Sequence, residues 1–294
     1  MSDYMIRATA AGEFVRAFAI TSGELVETAR QKHDCSPVVT AALGRTLSAG
    51  LMMGSMMKDE DDLLTLQLLG DGPCGGITVT ADCMGHAKGF AANPQVDISP
   101  RADGKLDVGG AVGSGFLRVM KDIGLKEPYV GTVALRSGEV AEDLTYYFAV
   151  SEQTPSSVAL GVLVDRDCSV KCAGGFIIQL MPGASDEVID ALEANLSSLP
   201  PVTAMLSDGH SPEEMLERVL AGMDLHITDR MEVSFRCDCS RERIEKTLSS
   251  LPDADLDEMI NDGEVVEVKC HFCNGAYEFT PQEIAQIREA RKGV

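Results

Sequence analysis

Cys237-Asp238-Cys239, then thirty residues, then Cys270-His271-Phe272-Cys273: this stretch decides how the end of the chain folds. Two close cysteine pairs flanking a short insert form a tetrahedral thiolate cage, a donor set that zinc accepts at about 2.3 Å per sulfur without geometric penalty. An iron–sulfur cluster is the other occupant that such a cage admits. Four sulfurs complete the shell, so His271, inside the second pair, is not read as a ligand. Each pair is close enough along the chain to form a disulfide on oxidation, Cys-x-x-Cys readily and Cys-x-Cys with some strain. A bound metal holds the sulfurs as thiolates, the species that oxidants attack. The stretch therefore reads as a redox switch built on a structural metal site.

Outward from the cysteines, the insert carries Ser240 as a cap and apolar Ile244, Leu248, Leu251, Leu256, Met259 and Ile260. Thr280-Pro281-Gln282-Glu283 opens a terminal helix with a capping box. A module of about sixty residues has little core of its own. Structural zinc contributes on the order of 10–16 kcal/mol in such modules, so metal loss is expected to unfold this one. Upstream lie two short amphipathic helix patterns. One places Val188, Ile189, Leu192 and Leu196 on a face, and the other Met215, Leu216, Val219, Leu220 and Met223. Ser211, Pro212 and Glu214 cap the second, and Pro200-Pro201 separates the two. Helices this short persist only when docked on a neighbour.

Before Pro182-Gly183 the chain reads as one mixed domain. Strands are expected over 4–10, 13–21, 63–69, 77–81, 87–91, 116–121, 129–135, 157–164 and 174–180, closing into a single sheet. Helices are expected over 22–33, after Ser36-Pro37, and over 139–150. The Gly- and Asp-rich run 94–115 reads as a long loop. The fold class is thus α+β, in three parts. Residues 1–183 form an N-terminal mixed-sheet domain with packed helices, 184–230 a metastable helical linker, and 231–294 a small four-cysteine zinc domain.

The chain has 294 residues and a net charge of -21, a surface that repels phosphate backbones and argues against a nucleic-acid partner. No signal peptide or membrane-spanning run is read, and the protein is expected in the cytoplasm. Standing disulfides are not expected there, so the scattered Cys35, Cys74, Cys83, Cys168 and Cys172 are expected unpaired, and Cys168 and Cys172 read as structural thiols rather than a second redox pair. Gly70, Gly72 and Gly75 have the spacing of a dinucleotide fingerprint, but Ile77-Thr78-Val79-Thr80 reads as a strand where the fingerprint needs a helix, so no nucleotide is expected. Met52, Met53, Met56 and Met57 read as core, and Asp59-Glu60-Asp61-Asp62 as a solvated loop. With no placed nucleophile or paired carboxylates, catalysis is not proposed.

At its cysteines the sequence resembles the redox-regulated holdase chaperones of the heat-shock protein 33 family. The resemblance extends through Gly70-Asp-Gly-Pro-Cys-Gly-Gly-Ile77, Ala92-Asn-Pro94, Lys126-Glu-Pro-Tyr-Val-Gly131, Ser137-Gly-Glu-Val-Ala-Glu-Asp-Leu144, Ser151-Glu-Gln153 and Leu160-Gly-Val-Leu-Val164, and so covers essentially the whole chain. It implies an ATP-independent chaperone, inactive when reduced with one zinc per chain on Cys237, Cys239, Cys270 and Cys273. It further implies that oxidants release the metal and form the disulfides Cys237–Cys239 and Cys270–Cys273. The module and linker then unfold, homodimers form, and unfolding client proteins bind. Two other readings of the cysteines stand beside this. A zinc-ribbon nucleic-acid binder is opposed by 14 acidic residues against 8 Lys and Arg over 231–294. A thiol–disulfide oxidoreductase using Cys270 and Cys273 lacks the strand-to-helix context of thioredoxin-like enzymes.

Overall fold

Residues 37–54 carry one charged side chain, Arg45, and a helix that is apolar on nearly all sides must be covered on nearly all sides. In the computed structural model, which describes residues 2–291, every residue of that helix except Pro37 and Arg45 is buried. The elements that cover it follow from the rest of the chain.

In chain order these are β1 (Tyr4–Ala10), β2 (Val15–Thr21), α1 (Gly23–His33), α2 (Pro37–Gly54), β3 (Leu63–Gly70), β4 (Ile77–Ala81) and β5 (His86–Ala91). Next come α3 (Val108–Val112), β6 (Gly115–Asp122), β7 (Tyr129–Ala134), α4 (Val140–Val150), β8 (Ser156–Val164) and β9 (Val170–Leu180). Then follow α5 (Asp186–Ser198), α6 (Val202–Ser207), α7 (Pro212–Val219), β10 (His226–Glu232) and β11 (Ser234–Phe235). The chain ends with α8 (Arg241–Leu248), α9 (Asp253–Asp262), β12 (Val266–Lys269), β13 (Ala276–Phe279) and α10 (Pro281–Arg291). It divides into two compact units between Arg236 and Cys237.

The strands of the first unit form two sheets, not the single sheet expected. One has the order β10-β1-β2-β9-β8 and the other β11-β5-β4-β3-β6-β7. The reason is α2, which packs against strands of both. The main core gathers around it, with Phe18, Ile20 and Ile177 from the first sheet, Leu66, Val79 and Val119 from the second, and Leu144, Tyr147 and Phe148 from α4. Met52 and Met53 are fully buried there, as core methionines should be. A second core lies on the opposite face of the first sheet. There Ile6, Ala17, Phe176 and Ile178 are covered by Leu192 of α5, Met205 of α6, and Met215, Leu216 and Val219 of α7. The helices too short to stand alone are thus docked on a sheet face.

Several elements were not expected, among them α6, β11 and the β12–β13 hairpin, and two bear on the packing of the first unit. Residues 108–112 form α3 inside the long glycine-rich run, with Asp107 accepting from Gly110 N at 3.0 Å. Gly70 lets this turn of helix approach, since a Cβ there would lie 1.9 Å from the Val112 carbonyl oxygen. Gly70 and Gly72 of the apparent dinucleotide motif serve that close approach, Gly75 takes a φ of +69° in the turn beside Ala92, and strand β4 follows them. Residues 226–232 form β10, an edge strand antiparallel to β1 whose side chains are almost all exposed, so no period betrays it. Ser36 takes the N-cap position of α2 but makes no side-chain cap bond. No helix among the described residues is long and apolar enough to cross a membrane.

Candidate metal centre

The second unit is built on a small core of Leu248, Leu256, Phe279 and Ile284. Antiparallel β12 and β13 form a hairpin, and Cys270-His271-Phe272-Cys273 is its turn. The turn is closed by Asn274 N donating to the Cys270 carbonyl at 2.7 Å and Cys270 N donating to the Gly275 carbonyl at 2.9 Å. Asn274 sits at φ +56°, a left-handed position that asparagine tolerates better than most residues. Cys237 and Cys239 lie just before α8, where Ser240 caps the helix by accepting from Arg243 N at 3.3 Å. Arg243 reaches back from α8 to the Asp238 carboxylate and to its carbonyl oxygen, fixing the residue between the first two cysteines. Arg241 pins the same helix to the hairpin. It donates to the Glu278 carbonyl at 2.9 Å, pairs with Glu283 of α10 at 2.6 Å, and lies over the Phe279 ring.

These supports bring Cys237, Cys239, Cys270 and Cys273 together, with all four sulfurs within 4.8 Å of one another. Cys237 Sγ lies 3.8 Å from Cys270 Sγ, and Cys239 Sγ lies 3.3 Å from Cys273 Sγ. Four sulfurs bound tetrahedrally at about 2.3 Å stand roughly 3.8 Å apart, so the cage has the size and donor chemistry that zinc takes. His271 lies outside this group. The other five cysteines are all in the first unit and remain unpaired by disulfides. Burial pushes the Cys35 thiol up to about 12 and also raises Cys74, Cys83 and Cys172, which makes these thiols poor nucleophiles.

The four clustered thiols are not equivalent. Burial raises Cys237 to about 12 and raises Cys273 as well. At Cys239 burial also opposes ionisation, but a hydrogen bond from the Tyr277 hydroxyl at 3.1 Å and those from the neighbouring thiols outweigh it, bringing the group down to about 7. Tyr277, Arg241 and Arg243 were not singled out from the sequence. Their roles depend on which hairpin face and helix turn meet the cage, which spacing alone does not carry.

The model of the family described as Hsp33 protein matches residues 3–280. The chain belongs to the Hsp33 family. A 33 kDa chaperonin of Agathobacter rectalis is 58% identical over 288 residues, covering 98% of this chain and 100% of that one. The 33 kDa chaperonin of Lachnoclostridium phytofermentans is 57% identical, with 98% of each chain covered. The crystal structure of the 33 kDa chaperonin from Thermotoga maritima matches with a TM-score of 0.94 at 35% identity, over 100% of both chains. The mixed sheets with helices and the cysteine cluster at the C-terminal end are therefore the architecture of an Hsp33-family protein.

Proposed function

We propose that this Hsp33-family chain is a redox-regulated, ATP-independent holdase that is silent when reduced and binds unfolding client proteins after oxidation. The observation that carries the reading is the convergence of Cys237, Cys239, Cys270 and Cys273 within 4.8 Å. One zinc ion, held by these four in the reduced protein, would supply a cross-link between the hairpin turn and the segment before α8. In each pair, Cys237–Cys239 and Cys270–Cys273, one thiolate attacks a peroxide oxygen and becomes a sulfenic acid, releasing hydroxide. The neighbouring thiol displaces water from it and the S–S bond forms. Two electrons leave each pair, and sulfurs in a disulfide no longer serve as thiolate ligands.

With the cross-link gone, the small core of Leu248, Leu256, Phe279 and Ile284 is left to hold the module, and cores of this size rarely supply more than about 3–5 kcal/mol. In this reading residues 1–183 are the chaperone core, 184–230 the metastable linker and 231–294 the switch. Displacement of α5, α6 and α7 from their sheet would bare the apolar face around Ile6, Phe176 and Ile178, a surface suited to unfolded chains and to a second copy of the protein. The action is binding in the cytoplasm rather than catalysis, with no nucleotide, nucleic-acid or membrane partner.

The test is suppression of aggregation of an unfolding client without ATP, by light scattering, with reduced protein and with protein treated with peroxide under mild heat. Suppression only after oxidation is expected, together with loss of one zinc and four thiols per chain and a shift to dimer by sedimentation. Equal protection by the reduced, zinc-loaded protein would sink the switch.

A further inference from the structure

Far along the sequence from the cysteines, three basic residues meet in a chain that holds 25 Lys and Arg against 46 Asp and Glu. Arg7, Arg16 and Lys58 line a cavity of about 460 Å³ together with Thr9 and Thr228, and Phe18 forms part of its wall. The register explains the convergence. On the paired strands β1 and β2, Arg7 stands opposite Phe18 and Thr9 opposite Arg16, so the two arginines are diagonal neighbours on one sheet face. Lys58, exposed, enters just beyond the end of α2.

These cations have no carboxylate at ion-pair distance among the described residues. The Arg7 Nε atom is buried without a hydrogen-bond partner. Arg16 donates at 3.1 and 2.6 Å to the neutral side-chain oxygen of Gln179 and lies over the Phe18 ring at 5.6 Å. Among the described residues neither arginine nor Lys58 forms an ion pair. The nearby carboxylates keep their charge but make their hydrogen bonds to other groups. Asp229, opposite Arg7, accepts from Arg230 N at 2.9 Å. Asp62 accepts from the backbone amides of Lys58 and Asp59 at 3.1 Å each. Glu152 is held by Tyr147 at 2.7 Å and by Lys121. Burial, and then the Arg7 charge, make protonated Arg16 less favourable than an ordinary arginine, with the Glu152 carboxylate opposing them in smaller measure. Half-buried guanidinium groups side by side are costly without an anion between them.

We propose that this cavity is a binding site for a small phosphate-bearing anion. Arg7 and the Arg16 N–H groups not taken by Gln179 supply donors suited to phosphate oxygens, Lys58 adds a point charge at the mouth, and the Thr9 and Thr228 hydroxyls complete the donor set. The volume falls within the range of small-molecule sites, about 300–1,000 Å³, and exceeds what one phosphate group fills. The ligand therefore carries either two phosphate groups or one phosphate on a small organic body laid against Phe18. The site is independent of the cysteine switch and is tested on reduced protein without reference to chaperone activity.

Calorimetric titration of the reduced full-length chain with orthophosphate, inorganic pyrophosphate and phenyl phosphate, at constant ionic strength, is the decisive measurement. One saturable site per chain is expected, tighter for pyrophosphate or for phenyl phosphate than for orthophosphate. Pyrophosphate in the lead assigns a diphosphate, and phenyl phosphate in the lead assigns a phosphate ester. Lys58→Gln, at an exposed position, should weaken binding about threefold to tenfold with an unchanged melting temperature. Arg16→Gln should abolish it, and a circular-dichroism melt of that variant separates lost binding from lost folding. Absence of binding to the folded wild-type protein at millimolar ligand overturns the proposal. So does binding that Lys58→Gln leaves unchanged.

Discussion

Tyr277 donates its hydroxyl to Cys239 Sγ, and that bond separates one thiol of the cage from its neighbours. A thiol near 7 is half ionised at neutral pH, whereas Cys237, pushed up to about 12 chiefly by burial, is protonated. In reduced, metal-free molecules whose module is still folded, the attacking sulfur is therefore that of Cys239. Its rate of alkylation should fall about tenfold per pH unit below 7 as the thiolate is protonated. Tyr277→Phe removes the donor and should move that profile to higher pH, measured by mass spectrometry of the alkylated peptide; an unmoved profile would deny the tyrosine this role. Asp3, in the first unit, shows the opposite balance. Its carboxylate accepts from Leu25 N at 2.7 Å at the start of α1, yet burial outweighs the backbone amides and raises the group from 3.8 to about 6. A carboxyl that holds its proton more tightly in the folded chain contributes stability that is full below about pH 4. That contribution is lost as pH rises through about 6, on the order of 2–3 kcal/mol for such a shift. Asp3→Asn keeps an oxygen for Leu25 and never ionises. It should therefore raise the urea midpoint of the reduced protein at pH 8 and leave it nearly unchanged at about pH 4. An equal effect at both pH values would refute the assignment. Neither residue stood out in the sequence, because a lone tyrosine or an N-terminal aspartate carries no pattern until its partner is placed.

Elements were legible where local chemistry repeats or punctuates. The Ser211-Pro212-x-Glu214 signature forms a full capping box on α7. Ser211 Oγ accepts from Glu214 N at 3.2 Å, and the Glu214 carboxylate accepts from Ser211 N at 2.8 Å. Ser211→Ala should cost about 0.5–2 kcal/mol of local stability. Because α7 covers Ile6 and Phe176 on the sheet, the variant should exchange the amides of residues 212–219 faster while the protein is still reduced. It should also need less oxidant or less heat to protect a client. Unchanged exchange in α7 would show that the box does not hold the helix down. The elements that escaped were those without a period. Strand β10 is polar nearly throughout because an edge strand needs only its backbone to pair with β1. Helix α3 carries two glycines in five residues, a composition that reads as loop. Its partner is a pair of turn glycines about forty residues earlier. The division into two sheets was equally hidden, since Val15 pairs with Leu180 across most of the domain and no local signal names that partner.

At the scale of the molecule, the cage was legible because two tight cysteine pairs have few other uses, and the cation cavity was not. Its residues are scattered from Arg7 to Thr228, and a net charge of -21 points away from any anion site. The two units also differ in what holds them. The first surrounds α2 with two sheets and has dozens of buried apolar side chains. The second has a core of four such side chains, three helices of eight, ten and eleven residues, and a hairpin of four-residue strands. Helices of that length are marginal alone, and a two-stranded hairpin is too. The thiolate cage ties the segment before α8 to the β12–β13 turn, so it should supply most of the module's stability. Chelation of metal under strictly reducing conditions isolates that contribution, because no disulfide can form. Hydrogen exchange should then rise across residues 237–291 while α2 and the strands around it keep their protection. If the reduced, metal-free module stays protected, its own packing suffices and release of metal cannot be the trigger. In that case unfolding would have to come from strain in the disulfides themselves. Peptide mapping of the oxidised protein would then matter most, because the sulfur contacts at 3.8 and 3.3 Å join one member of each pair to one of the other. Disulfides along those contacts would keep the two segments tied together, whereas Cys237–Cys239 and Cys270–Cys273 bonds untie them. Only the second pairing turns oxidation into loss of the cross-link.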